Sequence, residues 1–249
     1  IDECHHIGAE VFSRALPKIH TFYTLGLSAT PKRKDGLSKV FEWYLGPYVY
    51  QVNQREERKM RIKMLYYSHP DEEYSREETT CRGQVSMPRM INNICTWIQR
   101  TLLMVEWILE LLKNPQRNIL VLSDRRGHLE QIEKILAHRG CKDDQVGYYV
   151  GGMKEKQLAD SETKRIILAT YSMASEGMDI PALNTLVLAS PKSDVEQSVG
   201  RILRKKHEGA EPLLLDIFQQ MFLQKALMRQ HHQKRHLPHH LFQLELAAS

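Results

Sequence analysis

The sequence predicts an α/β fold in which a parallel sheet is covered by helices on both faces. From about residue 88 onward, short strand-like segments alternate with segments of helical periodicity. The strand-like segments are apolar throughout, as at 119–122 and 186–189, which is typical of strands buried on both faces. The chain has 249 residues, of which 42% are hydrophobic. This length is enough for one large domain or for two of ordinary size.

The region after residue 88 divides into ten predicted elements. In order they are helix 90–112, strand 118–123, helix 127–139, strand 145–150, short helix 154–161, strand 164–171, strand 184–189, helix 194–206, strand 211–217 and helix 218–234. Ligands of such folds bind beyond the carboxyl ends of the strands. Residues directly after each strand are therefore the candidate functional residues.

The first part of the chain carries a shorter version of the same pattern. Residues 24–30 are predicted to form a short buried strand that the following proline ends. Residues 36–46 place apolar side chains at helical spacing. Residues 53–59 are nearly all polar, and 68–83 are charged and rich in turn formers. We place a domain boundary at about residues 51–60.

Composition excludes several classes of protein. Lysine and arginine exceed aspartate and glutamate by 35 − 30 = +5, too little for a histone-like nucleic-acid binder but compatible with a local basic surface. No apolar stretch approaches the roughly 18 to 20 residues of a membrane span, so we expect no membrane partner. The four cysteines form no C-x-x-C pair, which argues against a zinc ribbon or a disulfide framework. We expect a reducing intracellular compartment.

The sequence opens with two adjacent carboxylates, Asp2 and Glu3, at what reads as a strand end. Such a pair is unfavourable unless a cation or a proton relieves it. A magnesium ion that holds phosphates would do so, with one carboxylate near the metal and the other orienting a water. The alternative is a solvated turn or a helix cap.

A second pattern places arginines on one helix face. Gln197, Arg201 and Arg204 stand at i, i+4 and i+7 and share that face, which suits a chain of phosphates. Gly200 lies between them, and close approach of another backbone is a plausible reason for it. The opposite face is apolar and consists of Val199, Ile202 and Leu203. The alternative is a basic, solvated face.

Two further segments follow predicted strands. Ser28 and Thr30 supply small hydroxyls that can bridge neighbouring groups. Residues 170–181 supply hydroxyls, Gly177 and the Asp179 carboxylate, which can accept hydrogen bonds from a ribose or an arginine. Either segment alone is equally compatible with a turn or a cap.

In this order, the segments resemble motifs II, III, V and VI of superfamily 2 helicases. The matching residues are Asp-Glu-Cys-His at 2–5, Ser-Ala-Thr at 28–30, Glu-Gly-Met-Asp-Ile-Pro at 176–181 and Gln-x-x-Gly-Arg-x-x-Arg at 197–204. Within the superfamily the chain is most similar to xeroderma pigmentosum B-type and phage UvsW-type DNA helicases. The likeness to poxvirus and giant-virus transcription-type helicases is carried by residues 122–129 and 190–196.

The resemblance implies tandem RecA-like parallel sheets, with ATP between two domains and nucleic acid across them. Residues 1–52 would be the last part of an incomplete first domain. Residues 53–87 would be a linker with the first strand and loop of the second domain. Residues 88–236 would complete that second domain, and 237–249 would be a tail.

The same resemblance implies residue roles and partners. The cofactors would be ATP and Mg²⁺, and the partner would be nucleic acid, DNA rather than RNA, at a nuclear or viral replication or transcription site with transcription or repair machinery. The implied roles are: Asp2, magnesium through water; Glu3, orienting the attacking water; His5, Ser28 and Thr30, coupling to domain motion; Gly177 and Asp179, facing the nucleotide; Gln197, contacting the γ-phosphate; Arg201 and Arg204, arginine fingers; Thr170, Gly151, Gly152 and Arg125, nucleic-acid contacts.

One feature departs from the helicase pattern. The superfamily uses a phosphate-binding loop, G-x-x-x-x-G-K-[ST], and no segment of the 249 residues matches it. Residues 151–154, Gly-Gly-Met-Lys, lack the spacing. We therefore expect this polypeptide alone to hydrolyse ATP poorly. A nucleic-acid- or partner-binding domain without turnover, and a translocase without strand separation, stay open as alternatives.

Overall fold

The computed structural model describes residues 1–18, 20–28, 36–51, 60–175, 178–192, 195–202, 209–219 and 244–247. The chain divides into two compact units, Ile1–Glu57 and Arg58–Ser249. Thr30, Gly177 and Arg204 lie outside these ranges, so the structure does not test the roles predicted for them. Among the described residues, no helix is both long and apolar enough to cross a bilayer.

The first unit has a small helical core. Its helices are a 3-10 helix at Cys4–Gly8, α1 at Glu10–Ser13, a 3-10 helix at Leu16–Lys18 and α2 at Ser38–Leu45. Cys4, Ile7 and Leu16 are buried together, and Leu45 packs against them. Helix α2 falls within the segment where helical spacing was predicted.

The prediction of a buried strand at 24–30 is wrong for its described part. Residues 24–28 carry no strand, and the Leu25 and Leu27 side chains are 61% and 55% exposed. Among the described residues, the backbone hydrogen bonds of this segment run to Ile1 and Cys4, and the segment belongs to no sheet there. Gly26 is the point of close approach: an added Cβ would stand 2.6 Å from Leu45 Cδ1 and 3.1 Å from Cys4 Sγ.

The second unit is built on a parallel sheet, which confirms the predicted α/β class. Its order is β3-β4-β2-β5-β6-β1-β7, and the paired strands all run parallel. The strands are β1 Arg61–Tyr67, β2 Ile119–Ser123, β3 Val146–Tyr149, β4 Ile166–Thr170, β5 Thr185–Leu188, β6 Leu213–Gln219 and β7 Leu244–Ala247. The edge strand β7 falls in the segment interpreted as a tail.

Helices cover both faces of this sheet. They are α3 Glu72–Ser75, α4 Met87–Thr96, α5 Ile98–Leu112, α6 Arg126–His138, α7 Glu155–Ser161, α8 Tyr171–Ser175 and α9 Glu196–Ile202. Alternate residues of β2 explain the two layers: Ile119 and Val121 join the core that includes α5 and α6, whereas Leu120 and Leu122 join the core that includes α8 and α9. This double burial is why the strands are apolar throughout.

The predicted helix 90–112 is two helices, α4 and α5. Trp97 separates them because its backbone is extended, with φ −77° and ψ 103°. Its ring packs 4.9 Å from the ring of His69 and 5.0 Å from that of Tyr74, in the segment before α4. The apolar residues keep helical spacing across Trp97, so periodicity alone predicts one continuous helix.

The predicted start of a helix at residue 218 is also wrong. Phe218 and Gln219 belong to β6, where they pair with Tyr66 and Tyr67 of β1. Strand β6 has the predicted length of seven residues but begins and ends two positions later than predicted, because β1 offers partners for it as far as Gln219. Residues 220–234 of the predicted helix lie outside the described ranges.

Candidate functional site

In the first unit, the two segments predicted to carry hydroxyls and carboxylates lie side by side. The Ile1 amino group donates to Leu25 O at 2.6 Å, Leu27 N–H donates to Ile1 O at 2.9 Å, and Cys4 N–H donates to Leu27 O at 2.9 Å. These alternating bonds have the direction of a parallel ladder. They bring residues 2–5 next to Ser28.

His5 connects these two segments through its ring. His5 Nδ1 lies 2.8 Å from Ser28 Oγ and 3.3 Å from Glu3 Oε2. The His5 side chain is only 13% exposed, whereas that of Glu3 is 41% exposed. One imidazole nitrogen therefore stands between the carboxylate of the acidic pair and the hydroxyl of the second segment, as the coupling role implied by the resemblance would need.

Glu3 has an unusual backbone. Its φ is +46° and its ψ +44°, and among the described residues it is the only one other than glycine with positive φ. This left-handed conformation costs a non-glycine residue about 1–2 kcal/mol and is concentrated at functional sites. The Glu3 N–H donates to Asp2 Oδ1 at 2.9 Å, so the two acidic residues are also joined to each other.

The acidic pair is compatible with a magnesium ion held mainly by a nucleotide. Asp2 is exposed. No group of three or more His, Cys, Asp or Glu residues within the described ranges could hold a metal by protein ligands alone. Mg²⁺ in nucleotide sites commonly uses one or two carboxylates, with water and phosphates as its other ligands. An exposed single carboxylate fits that ligand set.

In the second unit, the predicted nucleic-acid residues follow strands that end at one edge of the sheet. Ser123 of β2 pairs with Thr170 of β4, and Tyr149 of β3 pairs with Ala169. Arg125 therefore follows β2, while Thr170 ends β4. Thr170 Oγ1 lies 3.4 Å from Ser172 Oγ.

The Gly151-Gly152 turn follows β3 at the same edge. Both glycines are exposed, and neither has a described atom within 4 Å of an added Cβ. Gly152 has φ +86°, a conformation that favours glycine, although the space around it would admit a side chain. The turn leaves backbone accessible to a ligand.

Arg125 makes extensive contacts within the chain. Its Nε donates to Asn92 Oδ1, its Nη1 to Asp124 O at 3.2 Å and its Nη2 to Pro88 O at 3.2 Å. These bonds tie the residue before α6 to α4. A structural role for Arg125 is thus visible, and its contact with nucleic acid stays a prediction.

Helix α9 carries the predicted arginine face. Ile202 and Ser198 are buried and Val199 is partly buried, which agrees with the predicted apolar stripe. No described atom stands within 4 Å of a Cβ added at Gly200, so the expected close approach at this glycine has no counterpart in the described part of the chain. Gln197 and Arg201 lie in the helix. Asp179, after β4 and α8, is exposed.

Sequence reasoning missed a buried polar cluster around Arg100. The Arg100 side chain is 1% exposed, and it donates from Nη1 to Ala189 O at 2.7 Å and from Nη2 to Ile217 O at 3.1 Å. It lies one and two helical turns before Met104 and Ile108, which are buried on the same face. An arginine within an apolar stripe is the signal that could have found it.

Burial shifts the pKa values of two groups near this cluster. Burial raises the pKa of the Asp216 carboxyl from 3.8 to about 6, and the Arg100 guanidinium opposes that rise. Burial, together with the nearby Arg100 charge, lowers the pKa of His128 to about 3. The neutral His128 ring lies between two hydroxyls, with Nδ1 3.1 Å from Ser123 Oγ and Nε2 3.2 Å from Thr101 Oγ1.

The fold of the second unit and these motifs are similar to the C-terminal region of superfamily 2 helicases. Residues 103–206 match the family described as the helicase conserved C-terminal domain. The matched range runs from α5 past α9 and includes the carboxyl edge of β2, β3, β4 and β5.

Relatives of the chain are viral and archaeal helicases. The L396 protein of Acanthamoeba polyphaga mimivirus, whose name describes an ATP-dependent RNA helicase, is 38% identical over 220 residues, which cover 87% of this chain and 42% of the relative. The DNA 3'-5' translocase XPB2 of Sulfurisphaera tokodaii is 26% identical over 257 residues, covering 87% of this chain and 57% of that protein. The chain spans about half the length of the curated relatives it matches.

The fold is similar to that of a solved structure. Dbp5 of S. cerevisiae, bound to RNA and ADP BeF3, superposes with a TM-score of 0.59 at 10% identity, covering 99% of this chain and 58% of that chain. At this identity the likeness concerns the fold, which is RecA-like as the resemblance implied.

Proposed function

We propose that the chain is part of an ATP-dependent helicase or translocase that uses ATP and Mg²⁺ and acts on duplex DNA. The observation that carries the proposal is the position of His5 between Glu3 and Ser28. A histidine in contact with both an acidic hydrolytic residue and a second segment gives nucleotide state a route to the rest of the domain. The match of residues 103–206 to the helicase conserved C-terminal domain supports the same proposal.

In this proposal Glu3 orients the water that attacks the terminal phosphate, and Asp2 holds magnesium through its water shell. The ion supplies charge neutralisation for the phosphates when bound. The left-handed backbone of Glu3 supports the assignment, because such strain persists where a side chain must be aimed. His5, Ser28 and Thr30 then couple hydrolysis to motion.

The second unit would contribute the cationic part of the same reaction. Gln197 contacts the γ-phosphate region, and Arg201 and Arg204 neutralise charge that develops on the transferred phosphoryl group. Gly177 and Asp179 face the nucleotide. Helix α9 supports this assignment because Ser198 and Ile202 are buried, as expected if the opposite side of the helix faces a ligand.

Nucleic acid would bind at the carboxyl edge of the second unit. Thr170, Gly151, Gly152 and Arg125 lie at that edge, and contacts of this kind bind phosphates and therefore read little sequence. The choice of DNA rests on the resemblance to xeroderma pigmentosum B-type and UvsW-type helicases, and the XPB2 relative is named a DNA translocase. We also propose association with transcription or repair machinery in a reducing intracellular compartment, where the four unpaired cysteines would stay reduced.

The test is ATP hydrolysis by the natural gene product, including any sequence that precedes Ile1. We expect hydrolysis that duplex DNA stimulates more than RNA does, and that Glu3→Gln abolishes. Glu130→Gln, which changes an exposed acid paired with Arg126, is the matched control and should hydrolyse ATP normally. Hydrolysis that survives Glu3→Gln, or that no nucleic acid stimulates, would contradict the proposal.

A second candidate is a nucleic-acid- or partner-binding domain without turnover. The observation that favours it is the absence of a G-x-x-x-x-G-K-[ST] motif from the 249 residues. This candidate predicts that the 249-residue chain binds duplex oligonucleotides with a strong salt dependence and with an affinity that ATP does not change. ATP-dependent affinity in a fluorescence anisotropy titration would exclude it.

A further inference from the structure

The segment that leads from β5 to α9 is held by polar contacts from elsewhere in the second unit. Ala189 N–H donates to Leu122 O at 2.8 Å, and Ala189 O accepts from Arg100 Nη1 at 2.7 Å. Ser190 O accepts from the Tyr171 hydroxyl at 2.6 Å. We call residues 189–192 the connector, since α9 begins four residues after its end.

Two further contacts of the connector come from Asp124, in the turn after β2. Asp124 N–H donates to Ser190 Oγ at 2.8 Å, and Asp124 Oδ1 lies 3.2 Å from Lys192 Nζ. The Lys192 ammonium also stands 4.9 Å above the ring of Tyr171. Asp124 and Tyr171 therefore contact the connector twice each.

The contacts made by Ala189 and by the Ser190 carbonyl are buried. Tyr171 is 4% exposed, and Ser190 and Ala189 are fully buried. A hydrogen bond shielded from water is electrostatically stronger than an exposed one, and a lost partner leaves a buried polar group unsatisfied. The bonds therefore restrict the connector more than an apolar contact of the same size would.

The two residues that hold the connector are sequence neighbours of two proposed nucleic-acid contacts. Tyr171 directly follows Thr170, and Asp124 directly precedes Arg125. A shift of either loop on nucleic-acid binding would reach the connector through one hydrogen bond or ion pair. The connector in turn leads into α9, where Arg201 lies.

We propose that Tyr171 and Asp124 are positioning residues that fix the connector, and through it α9, in response to nucleic acid at the carboxyl edge. This inference rests on the proposed function. Groups that stabilise a transition state must be held within about 0.5 Å of the productive geometry, so a looser connector misplaces Arg201 without removing it. The loss should appear in kcat rather than in nucleotide binding.

The experiment compares Tyr171→Phe and Asp124→Asn in the natural gene product, including any sequence that precedes Ile1. Tyr148→Phe is the matched control, since it also removes one tyrosine hydroxyl bond in the same unit, from β3 to Glu133 Oε2 of α6 at 2.9 Å. For Tyr171→Phe we expect nucleic-acid-stimulated kcat to fall at least about tenfold while the KM for ATP changes less than about twofold. Asp124→Asn should lower the stimulated kcat at least about threefold, a smaller effect because this substitution removes only the ion pair with Lys192.

The ratio of stimulated to basal ATP hydrolysis distinguishes a positioning role of these residues from a role in stability alone. Variants that merely weaken the fold would lower the unfolding midpoint and leave the ratio of stimulated to basal hydrolysis unchanged. Equal ratios in Tyr171→Phe, Asp124→Asn and Tyr148→Phe would overturn the inference and leave the proposed function standing. A wild-type protein without stimulated hydrolysis would overturn both. If Tyr171→Phe does not fold, Asp124→Asn and Lys192→Met decide the question, since both alter partly exposed side chains.

Discussion

His5 Nδ1 and Ser28 Oγ are 2.8 Å apart, so one hydrogen bond joins residues that lie 23 positions apart in the sequence. The same nitrogen lies 3.3 Å from Glu3 Oε2. The bond therefore connects the acidic residue proposed for hydrolysis with the segment proposed for coupling. Loss of this hydrogen bond should therefore reduce strand displacement more than it reduces ATP hydrolysis.

Ser28→Ala tests that expectation directly. The substitution removes the hydroxyl and leaves Glu3 in place, so ATP hydrolysis by the natural gene product should stay within a few-fold of wild type. Strand displacement should fall at least about tenfold, because hydrolysis would no longer be transmitted. The two activities are measured on the same DNA. Ser75→Ala, which removes an exposed hydroxyl bonded to Glu72 O, is the control; equal loss of both activities in Ser28→Ala would contradict the coupling role.

Asp216→Asn should stabilise the protein in a pH-dependent way. Burial raises the pKa of Asp216 from 3.8 to about 6. The folded chain therefore holds a proton at this carboxyl that the unfolded chain releases above pH 4. The stability from this group is complete below pH 4 and is lost as the pH rises through 6. The asparagine of the variant does not titrate, so the variant keeps its stability as the pH rises. The difference in the free energy of unfolding between Asp216→Asn and the wild type should therefore grow from near zero at pH 4 to about 3 kcal/mol at most at pH 7.5.

Urea unfolding at pH 4.5 and pH 7.5 measures this difference in the free energy of unfolding. The comparison at equal pH cancels the contribution of His128, whose lowered pKa makes the wild type less stable as the pH falls below 6.5. Asp144→Asn, at an exposed position, is the control. A gain for Asp216→Asn that is equal at both pH values would refute the assigned cause.

Adjacent glycines give a matched pair for the turn after β3. Gly152→Ala should destabilise by about 1–2 kcal/mol, because φ +86° is strained for any residue with a Cβ. Gly151→Ala should change stability by less than about 1 kcal/mol, since open space surrounds its added Cβ. Thermal unfolding of both variants checks the contrast, and similar losses in the two would show that the turn adopts another conformation.

Much of the fold could be predicted because apolar runs mark strands that are buried on both faces. Strand β2 shows the reason, since consecutive residues enter different cores. The failures occur where tertiary contacts override local pattern. Trp97 breaks a periodic helix by packing on His69 and Tyr74. Phe218 stays in β6 because β1 provides a partner for it.

Part of the candidate site could likewise be predicted from the sequence, and part could not. Short-range patterns such as Asp2-Glu3 are visible in sequence because the chemistry needs adjacent groups. The contacts of Arg100 with Ala189 and Ile217 are not visible, because they join residues 89 and 117 positions apart. A lone charge in an apolar stripe marks Arg100 as unusual, yet only coordinates reveal its partners.

The proposed function requires Glu3 and Arg201 to act in one hydrolytic step. The most direct measurement is kcat for DNA-stimulated ATP hydrolysis by the natural gene product carrying Glu3→Gln, Arg201→Lys or both, with Arg139→Lys as the control for an exposed arginine. We predict that each single change lowers kcat at least about 100-fold and that the double variant is about as slow as the slower single variant. An Arg201→Lys protein as fast as Arg139→Lys, or losses that multiply in the double variant, would contradict the account.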